Sequence, residues 1–433
     1  MTNIFLNPGK EFWPSIIKRP SFNNGDLEKI VAEILADVKD NGDKALLKYS
    51  LKFDGVKPKS WQVSAEEIDT SENEITQSLK AALLIAKENI EKFHSAQVPK
   101  KIKKIETAPG VVCWRKNVAI ENVGLYIPGG TAPLFSTLLM LGIPAKLAGC
   151  KNIIVCTPAG KDDKINAAIL FVAKMLGLKN IYKVGGAQAI AAMAYGTASV
   201  PKVDKIFGPG NNFVTCAKKL VSMENTSIDM LAGPSELAVY ADETCIPSFV
   251  AADLLSQSEH GIDSQVMLVA TNMEIIENVV TEINQQLPFL ARKKIVNRSL
   301  INSRFILMEN KKTAFDLLNA YAPEHLIIAS EKAKKLSSSV INAGSVFLGN
   351  YSAESSGDYA SGTNHSLPTS GMANTYSGVS VDSFVKKITF QKINKKGLNN
   401  IGFAVETMAE AEGLDAHKNA ITIRLKQQDD ETV

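Results

Sequence analysis

From Asp26 onward, apolar residues recur at helical spacing: Leu27, Ile30, Val31, Ile34, Leu35 and Val38 share one side, and Gly42 follows as a stop. A second long helix is expected to open at the capping signal Ser71 to Glu74. It would turn Ile75, Leu79, Leu83, Ala86, Ile90 and Phe93 inward and leave His94 solvated among Lys and Glu. The first hundred residues therefore read as mostly helical, preceded by an arm in which Phe5, Leu6, Phe12, Trp13 and Ile16 follow no period and must pack on another element. Between Glu121 and Glu236 the texture changes to β-branched runs, glycine turns and Ala-rich helices, as in NIIVCTPAG and IYKVGGAQAIAAMAYG. Strands alternating with helices predict a parallel sheet, with ligands at the carboxyl ends of its strands. A second α/β stretch carries apolar runs at Leu237 to Tyr240, Gln265 to Ala270 and Ser345 to Leu348.

The segment Tyr351 to Gly378 is rich in Ser, Gly and Thr, the composition of a linker. Yet Asp358, Tyr359, His365 and Tyr376 are poor linker residues, so the segment reads as a site loop on a rigid scaffold. From Asp382 the tail predicts a strand pair, a helix around Glu406 to Ala411 ending near Gly413, and then AHKNAITIRL. It is too small for a core of its own.

At 433 residues, with 45% hydrophobic and 21% charged positions, the chain predicts two or three globular domains. A net charge of only +3, with no basic run beyond short clusters such as Lys100 to Lys104, argues against nucleic acid as a partner. MTNIFLNPGKEFWP lacks the form of a secretory signal. TLLMLGIPAKLAG is broken by Pro144 and Lys146 well short of the roughly 20 residues a membrane span needs, so no membrane association is expected. Five scattered cysteines (113, 150, 156, 216, 245) without a CxxC argue against disulfides and a thiolate zinc site, and fit a reducing cytoplasm. Any metal would use oxygen and imidazole donors.

Candidate chemistry gathers at helix ends and glycine loops. In LLSQSEHG, Gln257 and His260 stand three apart, the spacing that puts an oxygen and a nitrogen donor on one helical face; a solvated helix end is the alternative. AYAPEHL puts Glu324 and His325 directly after Pro323, where a helix would start. Their side chains would diverge and could serve two proton transfers, although a Pro and a Glu in a first helical turn need no catalytic reason. VGGAQAIAA and FGPGNNFV are turns that let backbone amides approach a phosphate, but neither is a GxGxxG.

Taken in order, YIPGGTAPL, VGGAQAIAA, KIFGPGN, DMLAGPSE, LLSQSEHG, APEHL and GDYASGTNHSLPT, closing on EGLDAHKNA, resemble the histidinol dehydrogenase family along essentially the whole chain. The resemblance implies an α/β fold of two Rossmann-like lobes with a small N-terminal arm and C-terminal tail. The domains would be an arm (1–22), a main α/β domain with the metal and catalytic residues (23–122 plus 237–379), an NAD-binding α/β domain (123–236) and a tail docking on the partner subunit (380–433). It implies zinc held by Gln257, His260, Asp358 and His417. Substrate contacts would come from these four together with Ser235, His325, Tyr359, His365 and Glu412, and NAD contacts from Tyr126, Gln188 and Asn211. His325 would remove the hydroxyl proton of L-histidinol as hydride leaves, and Glu324 would activate the water that adds to the aldehyde, so that two NAD are used on the way to L-histidine in the last step of histidine biosynthesis. A cytoplasmic homodimer with shared active sites is the implied assembly.

Three other readings stay open on the residues alone. They are a zinc hydrolase of a small imidazole or amino substrate, an aldehyde oxidation through a thiohemiacetal on Cys216 or Cys245, and a non-catalytic two-lobed binding protein.

Overall fold

The computed structural model describes residues 3–20, 25–98, 102–129, 133–231 and 233–430. Lys100 and Lys101, Gly130 to Ala132 of the YIPGGTAPL turn, Ala232, and residues 1–2 and 21–22 of the arm lie outside them. The chain forms two units, one of residues 1–97 and 120–384, the other of 98–119 and 385–433.

The first unit holds two parallel sheets. One is built from β4 (Asn122–Tyr126), β5 (Asn152–Thr157), β6 (Asn180–Lys183), β7 (Lys205–Phe207) and β8 (Ser227–Ile228), in the order β6-β5-β4-β7-β8. The other contains β9 (Glu236–Ala241), β10 (Gln265–Ala270), β11 (Arg304–Leu307), β12 (His325–Ala329) and β13 (Ser345–Leu348), in the order β11-β10-β9-β12-β13. Counted within each lobe both orders are 3-2-1-4-5, the doubly wound arrangement whose central strands are buried on both faces. The all-buried runs ELAVYA, QVMLVA and HLIIA follow from that burial. The arm contributes β1 (Asn3–Leu6), which pairs parallel to β11, and plants Trp13 and Ile16 against Tyr240 and Tyr321.

Helix Gly25–Asn41 lays Val31, Ile34, Leu35 and Val38 on the helices Gly186–Tyr195 and Asn212–Ser222. The helical segment after the arm thus clothes the five-stranded sheet, although its sequence carries no mark of which lobe it covers. Two sequence expectations are corrected in the next long helix. Ser71–Glu74 forms a separate 3-10 turn, and helix Gln77–Ser95 is capped by Thr76, whose hydroxyl accepts from Leu79 N at 3.2 Å. Along it Leu83, Ala86, Ile90 and His94 keep the inward spacing, so His94 is buried and Phe93 exposed, the reverse of the pattern expected from residue type. His94 Nδ1 is satisfied by Gln97 Oε1 at 3.1 Å.

The second unit is an antiparallel sheet of β2 (Lys104–Ala108), β3 (Val111–Ala119) and β14 (Val385–Ile393), in the order β14-β3-β2, with helices Lys395–Ala411 and Asp415–Asp430 paired beside it. The tail has one strand, not two, and that strand takes β3 as its partner, with Trp114 stacked on Phe390 at 5.4 Å. Among the described residues no helix is long and apolar enough to cross a membrane.

One turn of the first lobe is held by a buried charge. Lys218 Nζ meets Asp229 Oδ1 at 2.5 Å and donates to Gly208 O at 2.8 Å, while Gly208 N donates to Asp229 Oδ2 at 2.8 Å. Gly208 has φ +125°, and a Cβ there would lie 2.1 Å from Tyr126 O. Gly208→Ala is therefore expected to destabilise the lobe by on the order of 1–3 kcal/mol or more, seen as a lower calorimetric midpoint; an unchanged midpoint would remove the strain argument.

Candidate functional site

β9 and β12 are central neighbours in their sheet, and Glu236 and His325 are their first residues. The sequence around Pro323 suggests a helix start, but Glu324 precedes a strand: Leu326 to Ala329 is an apolar run buried on both faces, which a parallel sheet favours over a helix end. Three hydrogen-bonding groups then converge. Glu236 N donates to Glu324 Oε2 at 2.9 Å, and Glu236 O lies 3.2 Å from His325 Nδ1. With Nδ1 donating to that carbonyl, Nε2 is the nitrogen left for proton exchange; it is buried, without a hydrogen-bond partner, and 3.5 Å from Asp358 Oδ1, an ion-pair contact too long for a hydrogen bond. The Glu236 carboxylate is fixed from behind, since Arg19 donates to it through Nε at 2.6 Å and Nη2 at 2.9 Å, and Ser370 N donates at 2.8 Å.

In this lobe the cluster sits at the amino edge of the sheet. Helix Pro247–Ser258 runs back from the far end of β9, so its C-terminus arrives at the same edge with Gln257 fully buried. His260 follows just past the helix end, exposed. Short helix Glu354–Tyr359 faces it, and His260, Glu354 and Asp358 present ligand atoms all within 4.8 Å of one another. Three hard or borderline donors beside a helix C-terminus suit a divalent cation. Gln257 lies against this group; with its amide nitrogen turned to Glu354 Oε2 at 3.2 Å, its oxygen accepts from Glu236 N at 3.1 Å.

Burial of so many charges distorts their titration. Burial pushes the Glu324 carboxyl up to about 8, with Glu236 and Asp358 adding repulsion. Glu354 rises to about 8 and Asp253 to about 7 for the same first reason. Burial acts to lower His325, but Glu324, Asp358 and Glu354 outweigh it and raise the imidazole to about 10. Asp358 goes the other way: burial acts to raise it, but His325, His365 and His260 hold it below the usual carboxylate range.

Glu354 is the residue that sequence reasoning missed. Its signal was present, since it stands four residues before Asp358 and shares a helical face with it, but the Ser/Gly composition of YSAESSGDY concealed a helix. His365 lies in the loop after Asp358; its Nδ1 reaches Asp358 O at 2.9 Å and its Nε2 reaches Thr137 Oγ1 at 3.2 Å, so the loop joins this site to helix Phe135–Ala148 of the first lobe. Ser235, half-buried, precedes Glu236, and Tyr359 is exposed. Glu412 and His417 are exposed on the second unit's helical hairpin. Burial raises the thiols of Cys216 and of Cys245, the latter to about 11, and all five cysteines are free.

A cavity of about 880 Å³ opens at the carboxyl ends of β4 to β7. Tyr126, Gln188 and Asn211 line it together. Tyr126 Oη accepts from Gly186 N at 3.1 Å, Asn211 Oδ1 caps helix Asn212–Ser222 by accepting from Val214 N, and Gln188 Oε1 is buried without a partner. Gly185 must be glycine, since a Cβ there would meet Pro158 Cβ at 2.5 Å. The cavity has the size of a nucleotide site and lies at a switch in strand order between β4 and β7.

Comparison with known proteins agrees across the chain. The histidinol dehydrogenase family model matches residues 17–425. A histidinol dehydrogenase of Bacteroides fragilis is 55% identical over 420 residues, covering 97% of this chain and 98% of that protein. One of Bacteroides thetaiotaomicron is 55% identical over 427 residues, covering 98% and 99%. The crystal structure of histidinol dehydrogenase from Elizabethkingia anophelis superposes with a TM-score of 0.97 at 51% identity, covering 99% of each chain.

The titration shifts carry a consequence for stability. Raised folded-state values for Glu324, Glu354, Asp253 and His325 mean that the stability they confer is lost as pH climbs through those values, whereas His94 and His365, lowered by burial, act only below the ordinary histidine range. Protein stripped of divalent ions should therefore melt at progressively lower temperature from about pH 7 to about pH 9, and added zinc should reverse the loss. A midpoint that rises over this interval would contradict the assignment of buried protonated carboxyls.

Proposed function

The chain belongs to the histidinol dehydrogenase family, and from that premise we propose that it oxidises L-histidinol through the aldehyde to L-histidine, the last step of histidine biosynthesis, using zinc and two NAD in turn. The observation that carries the chemistry is that one backbone position, Glu236, orients both proton-transfer groups, Glu324 through its N–H and His325 through its carbonyl.

The donor set fits a metal. His260, Glu354 and Asp358 cluster, a neutral amide lies beside them, and the histidines around Asp358 hold its carboxyl below the usual range, so that it is ionised and ready to bind a cation. Gln257, His260 and Asp358 would hold zinc, with His417 as the fourth donor, and Glu354 either joins them or holds the Gln257 amide. When bound, zinc supplies a Lewis acid that draws in the substrate's amine and imidazole. The buried, unpartnered Gln188 Oε1 and the tight Gly185 turn support a dinucleotide in the 880 Å³ cavity, touched by Tyr126, Gln188 and Asn211. When bound, NAD accepts the hydride.

The protein's own part is proton management. His325, its Nδ1–H committed to Glu236 O, would offer Nε2 to the alcohol hydroxyl and take that proton as hydride departs, a base role that requires the raising charges of Glu324, Asp358 and Glu354 to be offset in the working site. Glu324 keeps one oxygen on Glu236 N, and once its raised carboxyl is ionised it would accept a proton from the water that adds to the aldehyde. Ser235, Tyr359 and His365 would contact the substrate from the strand and the loop. Raised thiol values at Cys216 and Cys245 support leaving a thiohemiacetal out of the scheme.

NADH absorbance on adding histidinol to the purified protein, with zinc measured in parallel, tests the whole reading. Within it, Glu324→Gln should slow the aldehyde-to-acid step by about a hundredfold or more while sparing the first oxidation, whereas His325→Asn should slow both by a similar factor. Wild-type turnover by His325→Asn would remove the base assignment.

We further propose a homodimer in which the helical tail supplies Glu412 and His417 to the partner's site. Both residues lie exposed in a unit separate from the main cluster, which supports their serving another chain. Mixing His417→Asn with Gln257→Ala under subunit exchange should then recover about a quarter of wild-type activity per total protein. No recovery among heterodimers verified by native mass spectrometry would mean that each chain completes its own site.

A further inference from the structure

One carboxylate facing the nucleotide-sized cavity has no assigned task. The helix Asp43–Tyr49 passes into a π-helical turn, Ser50–Asp54, which Gly55 ends in the left-handed region at φ +68°. Widened turns of this kind are uncommon and recur at functional sites. This one brings two consecutive side chains, Phe53 and Asp54, to the cavity wall. Phe53 stacks on Tyr49 at 5.8 Å with nearly parallel planes, and half of its surface stays exposed. Asp54 is half-buried, and among the described residues no hydrogen-bond donor or cation pairs with it. Burial alone raises its carboxyl above the ordinary range.

A partly desolvated carboxylate left without a donor is costly in a folded protein, and the cost is offset when a ligand brings the donors. The other charged side chains at the cavity, Glu74, Lys161, Asp162 and Lys164, are exposed and hydrated, so they discriminate weakly. What Asp54 accepts must therefore bring O–H or N–H donors. In a dinucleotide, the vicinal ribose hydroxyls next to the adenine meet that description, and a flat ring such as Phe53 suits the base.

We propose that Asp54 is the cofactor-specificity residue of this protein: its carboxylate takes the adenosine ribose 2′- and 3′-hydroxyls and repels a 2′-phosphate, so that the cavity accepts NAD and rejects NADP. The inference rests on reading the cavity as a dinucleotide site.

Two measurements test it. Titrating the wild-type protein with ADP-ribose and with 2′-phospho-ADP-ribose should show a preference for the unphosphorylated ligand of about tenfold or more, the worth of a charge-assisted hydrogen bond replaced by repulsion. Comparing kcat/KM for NAD and NADP in wild type and Asp54→Asn should show that the ratio narrows by about tenfold or more in the variant, mostly through loss with NAD. Equal wild-type affinity for the two ligands would overturn the proposal even if Asp54→Asn failed to fold. An unchanged ratio in a folded Asp54→Asn, or an equal loss with both cofactors, would also overturn it. So would a wild-type preference for the adenine over the hypoxanthine dinucleotide that Asp54→Asn abolishes, because Asp54 would then be reading the base amine. Absence of any NADH or ADP-ribose binding to the wild type would instead reject the dinucleotide reading of the cavity, a distinct failure.

Discussion

The active edge of the second lobe depends on Glu236. Its backbone faces forward, giving an N–H to Glu324 and a carbonyl to His325, while its side chain is buried and negatively charged. A lone buried carboxylate beside Glu324 would be untenable, so Arg19 closes on it with a two-pronged pair, donates also to Tyr321 O at 2.6 Å, and lies over the Tyr321 ring at 4.1 Å. Removing one member of such a buried pair typically costs about 3–5 kcal/mol, because the other is left uncompensated. The arm, the central strands and the loop at Ser370 are thus fastened at the point where Glu324 and His325 meet.

Both lobes share one strand order but use opposite edges. In the first, helix N-termini and glycine turns gather at the carboxyl ends of the strands, where backbone N–H groups and the helix dipoles favour an anionic pyrophosphate. In the second, the helix C-terminus carrying Gln257 arrives at the amino ends, where the dipole favours a cation. The same βαβ geometry therefore offers a site of either sign, and the choice of edge decides which. The loop through His365 and Asn364, whose Nδ2 donates to Met140 O at 2.6 Å, ties the cation edge to the nucleotide lobe.

Much of this was legible in the sequence where burial is complete. The runs Leu237 to Tyr240 and Gln265 to Ala270 are strands because a parallel sheet buries both faces, and helix Gly25–Asn41 shows its period because one face stays wet. What escaped was whatever depends on distant partners. His94 and Phe93 exchanged their expected sides because an unbroken inward spacing from Leu83 outranks residue type. Pro323 imitated a helix start while tertiary burial made His325 a strand residue. Glu354 hid in a composition typical of linkers, and no local pattern could pair β14 with β3. The family motifs located Gln257, His260, Asp358, Glu324 and His325 without revealing that they meet at an amino edge.

The pairing of β1 with β11 has a consequence for synthesis. Asn3 pairs with Arg304, so the arm leaves the ribosome about 300 residues before its neighbouring strand exists. At about 5–20 residues per second, that is a wait of roughly 15–60 s. β3 waits nearly as long for β14, and its edge is shielded meanwhile on one side only, by β2, its Arg115 and Lys116 discouraging association with other chains. The nascent chain can assemble the nucleotide lobe, which is continuous from β4 to β8, well before it can close the sheet that carries Glu236. The order of birth thus runs from the first lobe to the edge that carries Glu236, and a pause in translation before β11 would leave a folded first lobe joined to an unfinished sheet.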